Sequence, residues 1–386
     1  MDRGEARVAL IVGAGIGGLA AGIALRRGGW GVRVFERAAN PRELGFALGL
    51  APNALMALRE IGLGDAALRQ GARVRTFELR RADGSALKRI RFSEHAAMSV
   101  VMLRTTLHGA LLDSVGTDAL RLGREATGAT SSGDGAELEF ADGTTVRGDV
   151  VIGADGVGSA IRRRLHPEEP SPSPSGYYAL RGVAHDAAHN LGDVDTAVYL
   201  GDGVEAGLAK ASASAVYWYV SLVDEYVEGG RDPRAILRRC TRGLDERFCA
   251  VADATSAEDL RLDRLFTRAP IDRWGEGRIT LLGDAAHPVL PHTAQGAALA
   301  LEDAVALGLA LGRGQEPSHR LRVYERVRSR RTARTIAIGP RIAAMSTTRS
   351  ALRIRAREAA IRLLPGSLLS SFLTLHARDP HRRLRP

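Results

Sequence analysis

The chain has 386 residues and a formal net charge of +10, and its length allows two domains or one large domain with an insertion. The positive charge lies at the end of the chain, because residues 313–386 carry 18 arginines and four acidic residues. The preceding part is net negative, so the sequence gives no reason to expect a nucleic-acid partner. A signal-peptide pattern and an apolar run of membrane-spanning length are both absent, which predicts a cytoplasmic protein.

A strand–turn–helix–strand pattern opens the chain. Val8–Val12 and Val32–Glu36 are short apolar strands, and residues 15–28 between them have helical periodicity. The turn contains the spacing Gly13-x-Gly15-x-x-Gly18, in which glycines allow a tight turn, close approach of a pyrophosphate, and close packing of helix on strand. The helix N-terminus offers free N–H groups to phosphates. The pattern predicts a dinucleotide site formed at Gly13, Gly15, Ile16, Gly17 and Gly18.

An acidic residue ends the second strand. Glu36 lies 18 residues beyond Gly18, where a carboxylate can accept the ribose hydroxyls of an adenosine, and Arg37 follows it. This arrangement does not distinguish NAD from FAD.

The rest of the chain alternates between α/β and β-rich patterns. Helices are predicted over 53–61, 104–115 and 296–312, a hairpin around 141–144, and strands over 149–156, 177–184, 196–200, 206–210, 216–222 and 278–282. Residues 167–175 are proline-rich, have no helical or strand pattern, and are interpreted as a domain junction. Arginine-rich helical patterns continue to about residue 363.

Two further motifs indicate a family. G-A-D-G-V-G-S-A-I-R at 153–162 and G-D-A-A-H-P at 283–288, together with the first motif, resemble the single-component FAD-dependent aromatic hydroxylases related to p-hydroxybenzoate and salicylate hydroxylases. The resemblance covers residues 7–335. It implies an α/β fold in which a Rossmann-like FAD-binding domain of the GR2 type carries an inserted β-sheet substrate domain and a C-terminal helical region. The predicted FAD-binding domain consists of residues 1–75, 101–175 and 265–340. The predicted substrate domain consists of residues 76–100 and 176–264, and residues 341–386 are predicted to form a basic helical segment.

The resemblance also implies the cofactor contacts. FAD is long, so its ribityl chain and flavin ring need a second close approach by backbone, far along the chain from the first motif. Asp284 is expected at a ribityl hydroxyl, Arg104 and Asp155 at other parts of FAD, and residues 291–297 beside the flavin. The remaining residues expected to bind the cofactor are Arg37, Ala47, Pro291, Gln295, Gly296 and Ala297. NAD(P)H is expected as a transient co-substrate, and no metal site is expected, since Cys240 and Cys249 have neither redox-pair nor zinc-ligand spacing.

The predicted reaction is hydroxylation of a small aromatic or heteroaromatic substrate by O2 through a flavin hydroperoxide. His292 and Tyr217 are the candidate catalytic residues, His292 as a base and Tyr217 as a ring that stacks on the substrate. The predicted substrate pocket consists of Phe46, Tyr217, Leu290, Pro291 and His292. Two residues depart from the common family pattern: Ala294 stands where glycine is usual, and Phe46 stands where a smaller residue is usual. Because Phe46 changes the space beside the flavin, the resemblance does not identify the substrate.

Two alternatives remain open. The same scaffold supports an epoxidase or an oxidative decarboxylating hydroxylase, whereas the missing lysine and W-x-W-x-I-P stretch argue against a halogenase. A protein of another class, a basic peripheral FAD-binding protein without turnover, would place the arginines and leucines of residues 352–364 on a membrane surface. The sequence predicts a monomer or a homodimer.

Overall fold

The computed structural model describes residues 7–40, 46–92, 99–312, 316–366 and 368. Its strands, in chain order, are β1 Val8–Val12, β2 Gly31–Phe35, β3 Ala47–Leu50, β4 Ala72–Val74, β5 Thr76–Arg81, β6 Ala86–Arg91, β7 Ser99–Leu103, β8 Leu120–Arg121, β9 Ala126–Ser131, β10 Ala136–Phe140, β11 Thr145–Gly148, β12 Val150–Gly153, β13 Ser173–Ala184, β14 Thr196–Leu200, β15 Val204–Lys210, β16 Val216–Val223, β17 Leu260–Thr267, β18 Gly275–Glu276 and β19 Ile279–Leu281. Its α-helices are α1 Ile16–Arg27, α2 Pro52–Glu60, α3 Gly64–Gln70, α4 Arg104–Val115, α5 Ala160–Leu165, α6 Pro233–Cys240, α7 Glu246–Asp253, α8 Gly296–Leu311, α9 Pro317–Ser346 and α10 Ala351–Leu363.

A six-stranded sheet in the order β18-β19-β12-β1-β2-β8 forms the centre of the FAD-binding part. Strands β19, β12, β1, β2 and β8 run parallel, and β19, β12 and β1 are buried almost throughout. The carboxyl ends of β1, β12 and β19 lead into the three predicted motifs. Parallel strands end at the same edge of a sheet, so the topology brings together three turns that are far apart in sequence.

A second sheet of seven strands, in the order β17-β13-β16-β15-β14-β5-β6, forms the part of the molecule that was predicted to bind the substrate. One face packs against α6 and α7 through a core that includes the fully buried Trp218 and Phe248. The other face carries Tyr217 and faces the FAD-binding part, where Tyr217 packs against Ala47 and Val101. Because β5 and β6 come from residues 76–91, the sheet is built from both segments predicted for the substrate domain.

The predicted helix over 104–115 and the strand over 196–200 are confirmed at those residues. The prediction for the proline-rich segment is wrong at its end, because β13 begins at Ser173, where it pairs with Thr267. Prolines are tolerated there because a register irregularity interrupts the pairing between Pro174 and Tyr178.

The basic C-terminal part is folded onto the body of the protein. Helix α9 continues to Ser346, through the predicted boundary at residue 340, and contains Pro340. Helix α10 lies beside β6 and buries Arg357 and Glu358, and Glu358 forms an ion pair with Arg81. Leu352 and Leu363 on the same helix are exposed. Within the described ranges, none of the helices combines the length and the apolar character that a membrane crossing requires.

Candidate active site

The glycine turn after β1 is shaped by two glycines that leave no space for a side chain. Gly13 has φ of +102°, and a Cβ there would lie 2.5 Å from the carbonyl oxygen of Ala154. A Cβ at Gly18 would lie 2.0 Å from the carbonyl oxygen of Gly13. Helix α1 begins directly after Gly15, with no side chain capping its N-terminus. The first N–H groups of the helix, including those of Ile16 and Gly17, are therefore available to an anion such as a pyrophosphate.

Glu36 holds the rim of this turn. Its Oε2 accepts a hydrogen bond from the N–H of Ala14 and its Oε1 one from the N–H of Ala38, both at 2.9 Å. The carboxylate is thus fixed at the end of β2, beside the exposed Arg37. Each oxygen keeps a lone pair with which it can accept a ribose hydroxyl.

Helix α4 supports the turn from the other side. His108 Nε2 lies 2.7 Å from the carbonyl oxygen of Ala14, and burial lowers the pKa of this histidine. Arg104, one helical turn earlier, donates its backbone N–H to Phe46, directly before Ala47. Burial lowers the pKa of Arg104, and the carboxylate of Asp284 opposes that shift. Sequence reasoning missed His108, although its four-residue spacing from Arg104 on one helix face was a usable signal.

The middle motif caps helix α5. Asp155 Oδ1 accepts from the hydroxyl of Ser159 at 2.6 Å, and Oδ2 accepts from the N–H of Ala160 at 2.7 Å. Burial raises the pKa of Asp155, an effect that these hydrogen bonds oppose. The structure thus places Asp155 in a capping role, and its contact with FAD stays a prediction.

Arg162, the last residue of that motif, joins it to the third motif. Its guanidinium is fully buried, donates to the carbonyl oxygens of Ala285 at 3.1 Å and Ala286 at 3.0 Å, and pairs with Glu169. The second and third motifs are therefore held as one unit.

Asp284 faces a recess at the end of β19. Its side chain has substantial solvent contact, yet protein surrounds the recess closely enough that burial raises the pKa of the carboxyl group, opposed by His287 and Arg104. Within the described residues no hydrogen bond reaches this carboxylate. A desolvated acceptor without a protein partner fits a ligand hydroxyl, such as one of the ribityl chain.

The same loop ends in a left-handed residue before helix α8. After the 3-10 turn Pro291–Thr293, Ala294 has φ of +51° and ψ of 27°, a conformation that disfavours residues with a Cβ. This explains why glycine is usual at this position in the resembling family. Gln295 precedes α8 without capping it through its side chain, so the N–H groups of Gly296 and Ala297 stay available at the positive end of the helix.

A buried network of charged and polar side chains lies behind the loop. His287 Nε2 bonds Asp303, which also accepts from the N–H of Gly283 at 3.0 Å and from Arg328 Nε at 2.5 Å. Arg328 also pairs with Glu302 at 2.7 Å, and all of these side chains are at most 1% exposed. Burial alone would raise the pKa of Asp303, but His287 and Arg328 lower it to about 2.

The network extends to the start of α8 through an amide. Asn53 Nδ2 donates to Glu302 at 2.7 Å and to Gln295 at 3.1 Å, and Arg331 also pairs with Glu302. Gln295 is thus held from below by the side chain of Asn53, which places the N-terminus of α8. In the sequence, the adjacent acids at 302 and 303 inside an otherwise apolar helix were the signal that such a network exists.

Strand β16 forms the side of the site that was predicted to bind the substrate. Successive side chains alternate across the sheet, so Tyr217 and Tyr219 share one face with their rings stacked at 6.1 Å, while Trp218 donates to Thr255 on the other. The ring of Phe46 lies 6.5 Å from that of Tyr217 and beneath the guanidinium of Arg181. Burial raises the pKa of Tyr217 to about 12, so it is a neutral phenol at physiological pH.

His292 connects the flavin loop, residues 283–295 between β19 and α8 that were predicted to lie beside the flavin, to this sheet. Its Nε2 lies 2.7 Å from the hydroxyl oxygen of Ser221, and its ring meets that of Tyr177 edge-on at 5.3 Å. Burial lowers the pKa of His292, which keeps the imidazole neutral. Leu290 is buried beside it, whereas Pro291 is exposed. Sequence reasoning missed Ser221 and Glu205, and it missed the hydrogen bond that Tyr219 donates to Glu205.

Comparison with known proteins agrees with this geometry. The FAD binding domain family matches residues 5–338. The chain is 32% identical over 362 residues to the aurachin C monooxygenase/isomerase of Stigmatella aurantiaca, covering 92% of this chain and 94% of that one. It is 33% identical over 343 residues to 3-hydroxybenzoate 6-hydroxylase 1 of Aquipseudomonas alcaligenes, covering 84% and 86%. The structure of HpxO from Klebsiella pneumoniae complexed with FAD has a TM-score of 0.88 at 25% identity, covering 96% and 99%.

These findings define the class as flavoprotein monooxygenases, which confirms the predicted fold class and cofactor. The chain belongs to the FAD binding domain family that includes the FAD-dependent aromatic hydroxylases. Three features of the structure fit the cofactor: the uncapped N-terminus of α1, the carboxylate of Asp284 and the uncapped N-terminus of α8.

Proposed function

We propose that the protein hydroxylates a small aromatic or heteroaromatic ring, using FAD, NAD(P)H and O2. The hydrogen bond between His292 and Ser221 carries this proposal. This bond joins the loop of Asp284 and His292, which is proposed to lie beside the flavin, to the sheet that carries Tyr217. A planar substrate between the loop and the sheet meets groups that can bind its ring and move its proton. When bound, FAD takes reducing equivalents from NAD(P)H and activates O2 for insertion of one oxygen atom into the substrate.

Tyr217 is proposed to hold the substrate ring. No hydrogen bond from the described residues reaches its hydroxyl group, and its neutral phenol can donate to an oxygen of the substrate. The stacked pair of Tyr217 and Tyr219, with Phe46 beside it, offers an aromatic wall against which a planar ring packs favourably. The same rings limit the access of water to the reacting atoms.

His292 is proposed to accept the proton of the substrate hydroxyl. An electron-rich ring is the better acceptor of an electrophilic oxygen, and deprotonation enriches it. Because Nε2 is engaged with Ser221, we propose that the proton passes through the Ser221 hydroxyl: Ser221 gives its proton to Nε2 and takes the proton of the substrate. The positive end of α8, close to His292 in the chain, also disfavours the imidazolium form in the resting site.

NAD(P)H oxidation tests the proposed function directly. The purified protein is expected to contain FAD and to oxidise NAD(P)H faster in the presence of a suitable phenol, with a product heavier by one oxygen atom. Mass spectrometry of the product distinguishes hydroxylation from epoxidation and from oxidative decarboxylation. Flavin-containing protein that oxidises NAD(P)H at the same rate with and without every aromatic compound supplied would contradict the proposal.

Replacement of His292 separates proton transfer from FAD binding. In His292→Ala, we expect FAD to stay bound and NAD(P)H oxidation to continue, but hydroxylated product per NAD(P)H to fall at least about tenfold, with hydrogen peroxide released instead. Burial lowers the pKa of His292, so coupling in the parent is expected to be complete at neutral pH and to fall only as pH drops below that lowered pKa.

Ser221→Ala is the matched variant for the relay. It leaves the imidazole in place and is expected to reproduce the uncoupling of His292→Ala, while the double variant is no worse than either single one. Thr293→Val, which removes a hydroxyl bonded to the Leu290 carbonyl on the same turn, serves as the control and should keep its coupling. If Ser221→Ala forms as much product per NAD(P)H as the parent, the proton does not pass through Ser221. If His292→Ala does so, His292 is not the base.

A further inference from the structure

The pocket wall contains an acidic group that the proposed hydroxylation does not use. Glu205 is 6% exposed on β15, directly opposite Ser221 of β16, and so on the same face as Tyr217 and Tyr219. Its Oε1 accepts a hydrogen bond from the Tyr219 hydroxyl at 2.7 Å. Burial, and after it the charge of Glu205, raises the pKa of Tyr219, and Glu205 opposes the lowering of the pKa of His292 by burial. This agrees with the position of Glu205 opposite Ser221, which lies within hydrogen-bond distance of His292.

The second oxygen of Glu205 is free to receive a ligand. No hydrogen bond from the described residues reaches Oε2, and this atom is not among the polar atoms sealed from solvent. Tyr219 uses its single proton on Oε1, so it cannot donate to a substrate at the same time. The Glu205–Tyr219 pair therefore presents acceptors to the pocket.

The cation closest to this pair in the sheet register is already partnered. Arg181 lies opposite Tyr219 in the neighbouring strand β13. It forms an ion pair with Asp263 and lies over the ring of Phe46, with 4.7 Å between the guanidinium carbon and the ring centroid. Asp263 also pairs with Arg261. A substrate carboxylate at Arg181 would share this cation with Asp263, and it would face Glu205 as well.

Arg357 does not supply a free cation either. It approaches Glu205 closely enough that this carboxylate opposes the lowering of its pKa by burial. Its Nη1, however, donates to the carbonyl oxygens of Met345 and Ser346, and its remaining nitrogens are sealed from solvent in the packed base of α10. A ligand in the pocket does not reach it.

We infer that Glu205 determines specificity: the site takes an aromatic substrate that has no carboxylate and that gives an N–H or O–H donor to Glu205. This inference rests on the proposed function and narrows it. It separates the chain from relatives whose names specify a benzoate, such as 3-hydroxybenzoate 6-hydroxylase. Like charges facing each other across a desolvated site discriminate strongly against the wrong ligand, and a buried acceptor left without a donor adds to the discrimination.

The test uses two isosteric probes that differ in charge. 3-Hydroxybenzamide carries a neutral amide with N–H donors, and 3-hydroxybenzoate carries a carboxylate of similar shape. Binding to the FAD-containing protein is measured by the change in flavin absorbance, and stimulated NAD(P)H oxidation is followed on the same samples. The parent protein is expected to bind the amide at least about tenfold more tightly than the acid.

Two variants decide whether Glu205 causes the preference. Glu205→Gln should reduce the ratio of amide to acid binding to near one, and Glu205→Arg should reverse it. Glu225→Gln is the matched control, because Glu225 is an exposed acid that pairs with Arg349 at the surface, and its ratio should equal that of the parent. FAD content and the melting temperature of each variant show whether a change reflects folding instead.

Each remaining outcome overturns the inference. Equal binding of the acid and the amide by the parent would mean that Glu205 does not face the ligand. Preference for the acid that disappears in Arg181→Gln would assign recognition to Arg181. If neither probe binds the parent or either Glu205 variant, the inference that Glu205 contacts the ligand is also wrong. Protein that lacks FAD or never oxidises NAD(P)H would instead contradict the proposed function, so the two failures are distinguishable.

Discussion

Replacing Arg328 with methionine is expected to destabilise the protein by about 3–5 kcal/mol, because it removes a buried cation from Glu302, which keeps Arg331, and from Asp303, which keeps His287. Arg328 is fully buried and pairs with both Glu302 and Asp303, so the shorter apolar side chain satisfies neither acid. Urea unfolding monitored by tryptophan fluorescence measures the loss. Arg326→Met is the control, since Arg326 is exposed on the same helix, and its effect should stay within about 0.5 kcal/mol.

The pH dependence identifies the cause of that loss. In the parent, the pKa of Asp303 is lowered to about 2, so its contribution to stability is fully present above the ordinary Asp value and is lost as pH falls toward 2. In Arg328→Met both acids lose this one cation, their pKa values rise, and protonation relieves the cost. The stability difference between the two proteins should therefore shrink as pH is lowered from 7 to 4. A difference that stays constant over this range would argue for a packing defect instead.

Replacing Asp284 with alanine is expected to weaken FAD binding by about 10-fold to 150-fold, the amount associated with a hydrogen bond to a charged group. The apo-protein should be at least as stable as the parent above pH 5. Burial raises the pKa of Asp284, so its ionised form is held in the apo-protein at a cost that the variant no longer has. FAD titration by fluorescence quenching and apo-protein melting measure the two effects.

Asp272→Ala is the control for Asp284, because Asp272 is an exposed acid at the surface. Neither FAD affinity nor melting temperature should change in this variant. If Asp284→Ala binds FAD as tightly as the parent, the recess at the end of β19 is not the ribityl site. If its apo-form is much less stable, Asp284 has a structural role instead of a ligand-binding one.

Local patterns were sufficient to predict the elements that carry the motifs. The glycines at positions 13 and 18 are required because the backbone at these two residues is in close contact. This glycine spacing can be recognised from the sequence alone. Side chains alternate across a strand, so the stretch V-Y-W-Y-V at 216–220 is by itself enough to place Tyr217 and Tyr219 on one face, as the structure has them. The left-handed conformation of Ala294 was beyond local reasoning, since alanine gives no sign of positive φ.

The partners of the site residues depend on pairings between distant strands and helices. Glu205 meets Ser221 through the register of β15 and β16, and Asn53 meets Gln295 across more than 240 residues of chain. Such contacts follow from sheet order and helix packing, which periodicity does not encode. The proline-rich segment was misread for a related reason: β17, far along the chain, supplies a strand with which Ser173 can pair.

The buried network beneath the flavin loop has a consequence for how sequences of this family can be recombined. Asn53, Gln295, Glu302, Asp303 and Arg328 come from three helices and the residue before one of them, and none lies in the segments that build the seven-stranded sheet. Glu205, Tyr217, Tyr219 and Ser221 all lie within residues 176–264. A chimera that exchanges only residues 176–264 with those of a relative leaves every member of the network in place, whereas a single crossover between residues 53 and 295 separates Asn53 from Gln295. The network that places the loop before α8 and the wall around Glu205 that is proposed to select the substrate therefore lie on different stretches of one chain.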